Sequence, residues 1–416
     1  MNMTKNSFQS VAMYEGHANY QIAIQRQEPL YQRQNDLRSD FSRDYNRIIF
    51  SLAYRRLKHK TQVFFAVEDD HVCTRSEHVN LVDSVSYTIA HYLGLNTELT
   101  RAIAVGHDLG HAPFGHGGEQ IINTLCQKYH LNSFWHEKNS LYFVDQIETL
   151  EDDYHMRHNL NLTYAVRDGI ISHCGEMNQK SIMKRDEYID LNDYLYPGMY
   201  NPYTWEGCVV KMADKIAYLA RDIEDALRLH ILDEEKVNEL KNKINAISHF
   251  QFNAINNGSI VNYFILDVCH HSSIEKGICL SDEAFEVMKV IMAFNYKNIY
   301  LIDRVKIHSR YVQLILNSIF DFLYKYKEQA FKNETNVIEE LRKDQKTYPQ
   351  TICGYIHWLE KYSLMKNYHR SELYQNHIIY DFDHDDTAMA RSIIDYLSGM
   401  SDAYILKIFN EFISLS

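Results

Sequence analysis

The sequence predicts an all-α protein with little or no sheet, and three observations carry that expectation. Its 416 residues include only 15 Gly and 5 Pro, too few turn formers to punctuate many short strands. Lys, Glu, Leu and Ile are plentiful, and apolar residues recur at helical spacing in several long segments. At 45% hydrophobic and 24% charged residues, composition excludes a disordered or fibrous chain, and the length needs no disulfide staples.

The elements follow in chain order. Residues 1–40 are polar and Gln-rich and read as a loosely ordered arm or packing tail without chemistry. From Phe41 to Lys60, apolar residues at 48, 49, 52, 53 and 57 give helical spacing, with Arg43, Arg47, Arg55 and Arg56 around them. Taken alone, that basic face is a solvated one. Positions 81, 82, 85, 89, 92 and 93 predict the next helix, which Gly94 is placed to end and after which Thr97 can cap its successor. Five of the scarce glycines and Pro113 then crowd into residues 106–118, marking a shaped loop. Trp205 to about Ile231 is the most regular amphipathic helix. Residues 233–260 and 328–347 are charged helical segments, and 386–413 is a helix pair broken near Gly399. With no repeat, linker or sharp change of composition, we expect an arm (1–40), a helical core (41–230) and a C-terminal helical region (231–416) packing on that core.

The seven cysteines are scattered, with no C-x-x-C pair, as in the reduced core of a cytoplasmic protein. No apolar run approaches the roughly 18 residues of a membrane span, and the polar opening lacks a signal-peptide core. A formal net charge of −12 repels polyanions as a whole, so binding phosphates requires a focused basic pocket.

Chemistry concentrates between 107 and 119. The stretch HDLGHAPFGHGGE holds His107, Asp108, His111, His116 and Glu119, and imidazole with carboxylate suits Mn, Fe, Ni or Zn. On a continuing helix His107 and His111 would share a face, with Asp108 turned by about 100° and able to join them only at the helix end. A lone His-Asp dipeptide is usually a surface pair, and His384-Asp385, in an acidic turn, serves as an internal control. Two ligands are too few for a metal site, so others must come from elsewhere. His78, alone, reads as a helix-start or surface histidine. In the helix after Trp205, taking Asp214 as zero at about 100° per residue, Asp225, Tyr218, Lys211 and Asp222 fall within about 80° of it. Ile216, Leu219, Ala220, Ile223, Ala226 and Leu227 gather opposite. A solvated face is the bland reading of that polar stripe. A pocket wall for sugar and phosphate is the sharper one.

The order His78, His107-Asp108, Asp214 resembles the H…HD…D pattern of HD-superfamily metal phosphohydrolases. More narrowly, the chain resembles the deoxyguanosine triphosphate triphosphohydrolases. The similar stretches are SRDYNRIIFSLAYRRLKHKTQVF (42–64), TRSEH (74–78), GHDLGHAPFGHGGE (106–119), LNLTYAVRDGIISH (160–173), DKIAYLARDIEDAL (214–227) and DYLSGMSDAY (395–404). The resemblance implies an HD-type helical core with a C-terminal elaboration that completes a nucleotide pocket.

By that resemblance, His78, His107, Asp108 and Asp214 are expected to bind one divalent metal, Mn²⁺ foremost, with Mg²⁺, Fe²⁺, Ni²⁺ or Zn²⁺ as alternatives. His111 with Glu119 resembles the proton-handling pair, His136 its imidazole partner, and His116 the histidine that reaches the α-phosphate. Gln62 and Arg75 resemble sugar and phosphate contacts, Lys215, Tyr218 and Asp222 a phosphate and sugar wall, and Tyr300 the tyrosine that packs under the deoxyribose. After Tyr300 the chain reads Ile302-Asp303 where the family has His-Pro. Arg56 would join Arg75 and Lys215 in offsetting phosphate charge. The implied reaction is hydrolysis of a dNTP, dGTP favoured, to deoxynucleoside and tripolyphosphate. The alternatives are another HD phosphohydrolase, acting on a different nucleotide or on single-stranded nucleic acid ends, and a nucleotide-sensing module without turnover. The implied partners are a dNTP substrate, further copies of the chain in a homo-oligomer such as a hexamer, and a regulatory nucleotide or single-stranded DNA, with no membrane.

Overall fold

A computed structural model describes residues 7–30, 35–64, 71–174 and 179–414, apart from the side chains of residues 305 and 306. Residues 1–6 and 31–34 of the expected arm lie outside it. The described residues are helical, with three short two-stranded pairs as the only sheet. Two of these are antiparallel, Thr149–Glu151 with Arg157–Asn159 and Ser181–Ile182 with Ile278–Cys279; Ser363–Leu364 pairs with Tyr380–Asp381 in parallel. None of the described helices is long and apolar enough to cross a membrane.

The chain forms two compact units that interleave in sequence and so run across the expected segments 41–230 and 231–416. Unit one comprises Met1–Ile49, Val67–Asp108 and Asn161–Lys306; unit two comprises Phe50–Ala66, Leu109–Leu160 and Ile307–Ser416.

Unit one is built on the helix Arg75–Leu93, which packs on Thr97–Gly106 and on Trp205–Arg228, with Tyr164–Ser172 and Asn257–His271 alongside. Glu77 accepts from the Thr74 backbone N–H at 2.7 Å, which fixes the helix start and puts Arg75 and His78 in its first turn. Gly94 ends this helix at φ 80°, as expected. The next cap is Asn96 rather than Thr97. Asn96 takes the extended backbone a cap needs, and its side chain accepts from the N–H groups of Glu98 and Leu99.

Described residues of the expected arm pack within unit one. Phe8 is buried with its ring 5.0 Å from that of Trp205, and Glu206 accepts at one oxygen from the N–H of Met13 (2.9 Å) and of Asn96 (3.0 Å).

The segment expected as one helical stretch from Phe41 to Lys60 is broken at Ser51. Ser51 is extended and its hydroxyl accepts from the Tyr54 N–H at 3.2 Å, so Asp40–Phe50 and Leu52–Arg56 are separate helices. In unit two an apolar core gathers Phe114, Ile122 and Leu125 with Leu316, Phe320, Ile352, Leu359, Ile393 and Leu397. The C-terminal pair is Ala388–Ser398 and Asp402–Ile413, broken around Gly399 as the pattern predicted.

Candidate metal centre and proton-handling cluster

In unit one, three separated stretches bring His78, His107, Asp108 and Asp214 together. The helix Thr97–Gly106 stops at Gly106, and His107 is its C-cap. His107 and His111 therefore do not share the face of a continuing helix, because residues 107–110 already form a turn. The His107 Nδ1 donates to the Ala104 carbonyl at 2.6 Å, which leaves the lone pair on Nε2. That Nε2 is buried and has no hydrogen-bond partner among the described residues. It stands 3.8 Å from Asp108 Oδ1 and 3.7 Å from Asp214 Oδ1, while His78 Nε2 lies 3.0 Å from the same Asp214 oxygen. One donor atom each from His78, His107 and Asp214 falls within 4.8 Å of the others. Arg75 binds the second Asp108 oxygen at 2.7 Å, orienting the carboxylate with Oδ1 toward the imidazoles.

An orphaned buried lone pair facing two carboxylates is what a divalent cation satisfies, and two imidazoles with two carboxylates are ligands of the right hardness. The residues fit the metal. The charges agree: burial works against an ionised Asp214, but the His78 hydrogen bond and the imidazoles of His107 and His78 outweigh it and hold the carboxyl below its usual range. For His78, burial opposes protonation, and the bond and charge of Asp214, with Asp108 adding, raise the imidazole above its ordinary value.

The polar stripe of Trp205–Arg228 is largely buried, so the solvated-face reading fails: Lys211, Lys215, Asp222 and Asp225 are all inside. Burial and neighbouring Lys211 push the Lys215 ammonium down to about 8, leaving a cation that an anionic ligand would stabilise. Asp222 is pushed up to about 6 by burial, against a hydrogen bond from the Tyr300 hydroxyl; its other oxygen is buried without a hydrogen-bond partner among the described residues. Tyr218 lies half-buried on the same helix. Tyr300 ends the Tyr296–Tyr300 turn that follows Asp282–Asn295.

In unit two, Glu119 organises a second cluster. Its carboxylate accepts from the His136 backbone N–H (3.0 Å) and approaches His136 Nδ1 at 3.3 Å and His116 Nδ1 at 3.6 Å. Burial opposes the charge on Glu119, but these bonds and the nearby imidazoles hold its carboxyl well below the usual range. The His111 ring stacks on that of His136 at 3.9 Å between centroids, and His116 is 68% exposed.

The loop carrying His111 is braced from several sides. A Cβ on Gly110 would lie 2.1 Å from Ser140 N, and one on Gly118 would lie 1.9 Å from the Pro113 carbonyl oxygen, so neither position admits a side chain. Buried Lys60 donates to the His111 carbonyl and, at 3.2 Å, to that of Ser398. Asp402 accepts from the N–H of Phe114 (2.9 Å) and from the N–H and hydroxyl of Thr61 (3.1 and 2.7 Å). Gln62 follows, its Oε1 buried without a hydrogen-bond partner among the described residues. Arg56 binds Glu148 at 2.7 Å.

Sequence reasoning did not single out Lys60, Asp402 or His173. The first two lie inside the stretches 42–64 and 395–404 that resemble the triphosphohydrolases, which is the signal that could have found them. His173 closes the similar stretch 160–173, and its imidazole stands 5.0 Å from that of His107 between ring centroids.

A family model for the HD domain matches residues 75–219. The chain is 33% identical over 332 residues to a deoxyguanosinetriphosphate triphosphohydrolase-like protein of Caldanaerobacter subterraneus subsp. tengcongensis, spanning 80% of this chain and 84% of that protein. It is 36% identical over 327 residues to one from Desulfatibacillum aliphaticivorans (77% and 84%) and 29% identical over 386 residues to one from Clostridium tetani (91% and 87%). With its histidine-aspartate cluster and this length of shared sequence, the chain belongs to the HD-domain family of deoxyguanosinetriphosphate triphosphohydrolase-like proteins.

Proposed function

We propose that the protein hydrolyses deoxynucleoside triphosphates, dGTP foremost, to the deoxynucleoside and tripolyphosphate. The observation that carries this reading is the buried His107 Nε2, without a hydrogen-bond partner among the described residues and facing Asp108 and Asp214 beside His78. These four residues would hold a divalent metal, Mn²⁺ foremost, which when bound supplies Lewis-acid polarisation of a phosphoryl oxygen and a water of lowered pKa.

The chain's own residues do the rest. Arg75 and Lys215 offset phosphate charge, and a bound polyphosphate returns Lys215 toward its ordinary value. Asp222 and Tyr300, joined by their hydrogen bond, grip the sugar, with Tyr218 beside Asp222 on the same wall; Gln62 is a sugar contact by resemblance alone. Water attacks the α-phosphorus in line, the bond to the 5′ oxygen breaks, and that oxygen takes a proton. An imidazole tied at Nδ1 by Glu119 presents Nε2 for that transfer; His116 and His136 both have this arrangement, and His111 stacks beside His136 to support a charged ring. His111 is also placed in this proton-handling group by resemblance.

The test is product analysis. Incubation with each dNTP and NTP and Mn²⁺, followed by ion chromatography, should yield tripolyphosphate and deoxynucleoside in equal amounts, fastest with dGTP. Orthophosphate, pyrophosphate or shortened oligonucleotides in their place would transfer the protein to another HD phosphohydrolase activity. Tight dNTP binding without turnover would make it a sensor.

A further inference from the structure

We infer that Lys60 and Asp402 are positioning residues for the proposed reaction: they fix the turn between His111 and His116, an inference that rests on the proton-handling role proposed for that group. The turn is strained. Within it Phe114 has φ 60° and ψ 26°, a left-handed backbone that costs free energy in any residue with a side chain. Phe114 is the N-cap of the helix Gly115–Lys128 and makes no side-chain cap bond, so its backbone alone sets the course of the first two turns, which carry His116 and Glu119. Its ring is buried in the apolar core of unit two, which anchors the side chain. The backbone needs an anchor of its own.

Two buried charged side chains supply it. Asp402 accepts from the Phe114 N–H at 2.9 Å through Oδ1, and its Oδ2 accepts from the N–H and hydroxyl of Thr61. Lys60, the residue before Thr61, donates to the carbonyl of His111 and, at 3.2 Å, to that of Ser398. Both ties lead to the corner between Ala388–Ser398 and Asp402–Ile413. Ser398 ends the first helix, where a cation is favoured, and Asp402 begins the second, where an anion is favoured. On the other side of His111, the Gly110 N–H donates to the Ser140 hydroxyl at 2.9 Å and Asn139 donates to the Gly110 carbonyl at 2.6 Å. The backbone is thus held at 110, 111 and 114. That path places the His111 ring against His136 and the His116 ring beside Glu119. Capping two carbonyls needs only neutral donors, and a desolvated ammonium is a costly way to do it, so stability alone does not account for Lys60.

The experiment must separate positioning from support of the fold. Lys60→Met, Lys60→Arg, Asp402→Asn, His111→Ala and the double variant of Lys60→Met with His111→Ala are made in the full-length protein. For each, kcat and KM with dGTP, bound Mn²⁺, circular dichroism and urea unfolding are measured. Lys60→Met and Asp402→Asn should lower kcat by about 10–10²-fold, the cost of a misplaced imidazole, with KM within about threefold and metal content and dichroism unchanged. Lys60→Arg, which can still donate to both carbonyls, should stay within about threefold of the wild-type kcat. In the His111→Ala background, Lys60→Met should cost less than about threefold further, because the imidazole it positions is gone. Residues that only support the fold would lower stability, leave kcat per folded molecule intact and add their full effect to that of His111→Ala. That pattern, a raised KM at unchanged kcat, or Lys60→Met and Asp402→Asn variants that do not fold, overturns this inference, while wild-type turnover leaves the proposed function standing. A wild type that hydrolyses no dNTP overturns the proposed function and this inference together.

Discussion

The same dipeptide, His-Asp, occurs at 107–108 and at 384–385, and the two settings could hardly differ more. His384 is 79% exposed, and its Nδ1 lies 3.0 Å from Asp381, three residues away. Asp385 accepts from the N–H and hydroxyl of Thr387. Each is satisfied by neighbours in sequence. His107 is 1% exposed, and the groups facing its Nε2 come from positions 108 and 214, with His78 and His173 against its ring. A buried imidazole nitrogen left without a partner costs about 1–3 kcal/mol, which the fold sustains only where a ligand repays it. The dipeptide is not the signal; long-range convergence in a dry place is.

The largest test of that contrast removes the carboxylate at each site. Asp108→Ala should abolish metal retention and lower kcat by about 10³-fold or more, the several kcal/mol a Lewis acid supplies. Asp385→Ala should leave kcat within about twofold. Metal content by elemental mass spectrometry alongside kinetics with saturating Mn²⁺ checks both, and equal effects at the two positions would break the comparison. Next in size, His116→Ala and His111→Ala should each lower kcat by about 10²-fold or more while the bound metal stays. A near-normal kcat in either removes that imidazole from the proton-handling group.

Two stability tests sharpen the contrast further. Gly110→Ala forces a Cβ against the Ser140 backbone and should cost about 3 kcal/mol in urea unfolding, whereas His384→Ala should cost less than about 0.5 kcal/mol. Buried carboxyls also divide by their neighbours. Asp214 faces imidazoles and is held down, whereas Asp395, in unit two, is pushed up to about 6 by burial, against hydrogen bonds from Tyr380 and Tyr142. A raised folded pKa means that the Asp395 contribution is fully present below the unfolded value near 3.8 and is lost as pH rises through about 6. Asp395→Asn should therefore flatten that part of the pH dependence, a difference of about 1–3 kcal/mol between pH 4 and 7 in thermal unfolding. A parallel profile for wild type and variant would contradict the assignment.

Much of this was legible beforehand where the information is local. The helices, the left-handed cap at Gly94 and the break near Gly399 follow from spacing and turn chemistry. The density of ligand types at 107–119 marked the site. The break at Ser51 and the cap at Asn96 were missed because each turns on one side chain choosing its own backbone over the pattern around it. The interleaving of the two units escaped because the chain crosses between them at positions such as 108/109 without any change in composition. His173 was passed over because it lies far in sequence from the cluster at 107–119; only folding sets it against His107. Likewise the contacts of Glu119 with the His136 N–H and Nδ1 depend on a helix start at His136 that spacing does not reveal.

The most direct measurement is manganese stoichiometry in the full-length protein, stripped with chelator, reloaded and freed of excess ion. One Mn²⁺ per chain in the wild type, and none in His78→Ala, Asp108→Ala or Asp214→Ala variants that keep the wild-type circular dichroism, is the result this structure predicts. A wild type that takes up no divalent ion, or folded variants that retain it in full, would contradict the convergence of these side chains on a single cation.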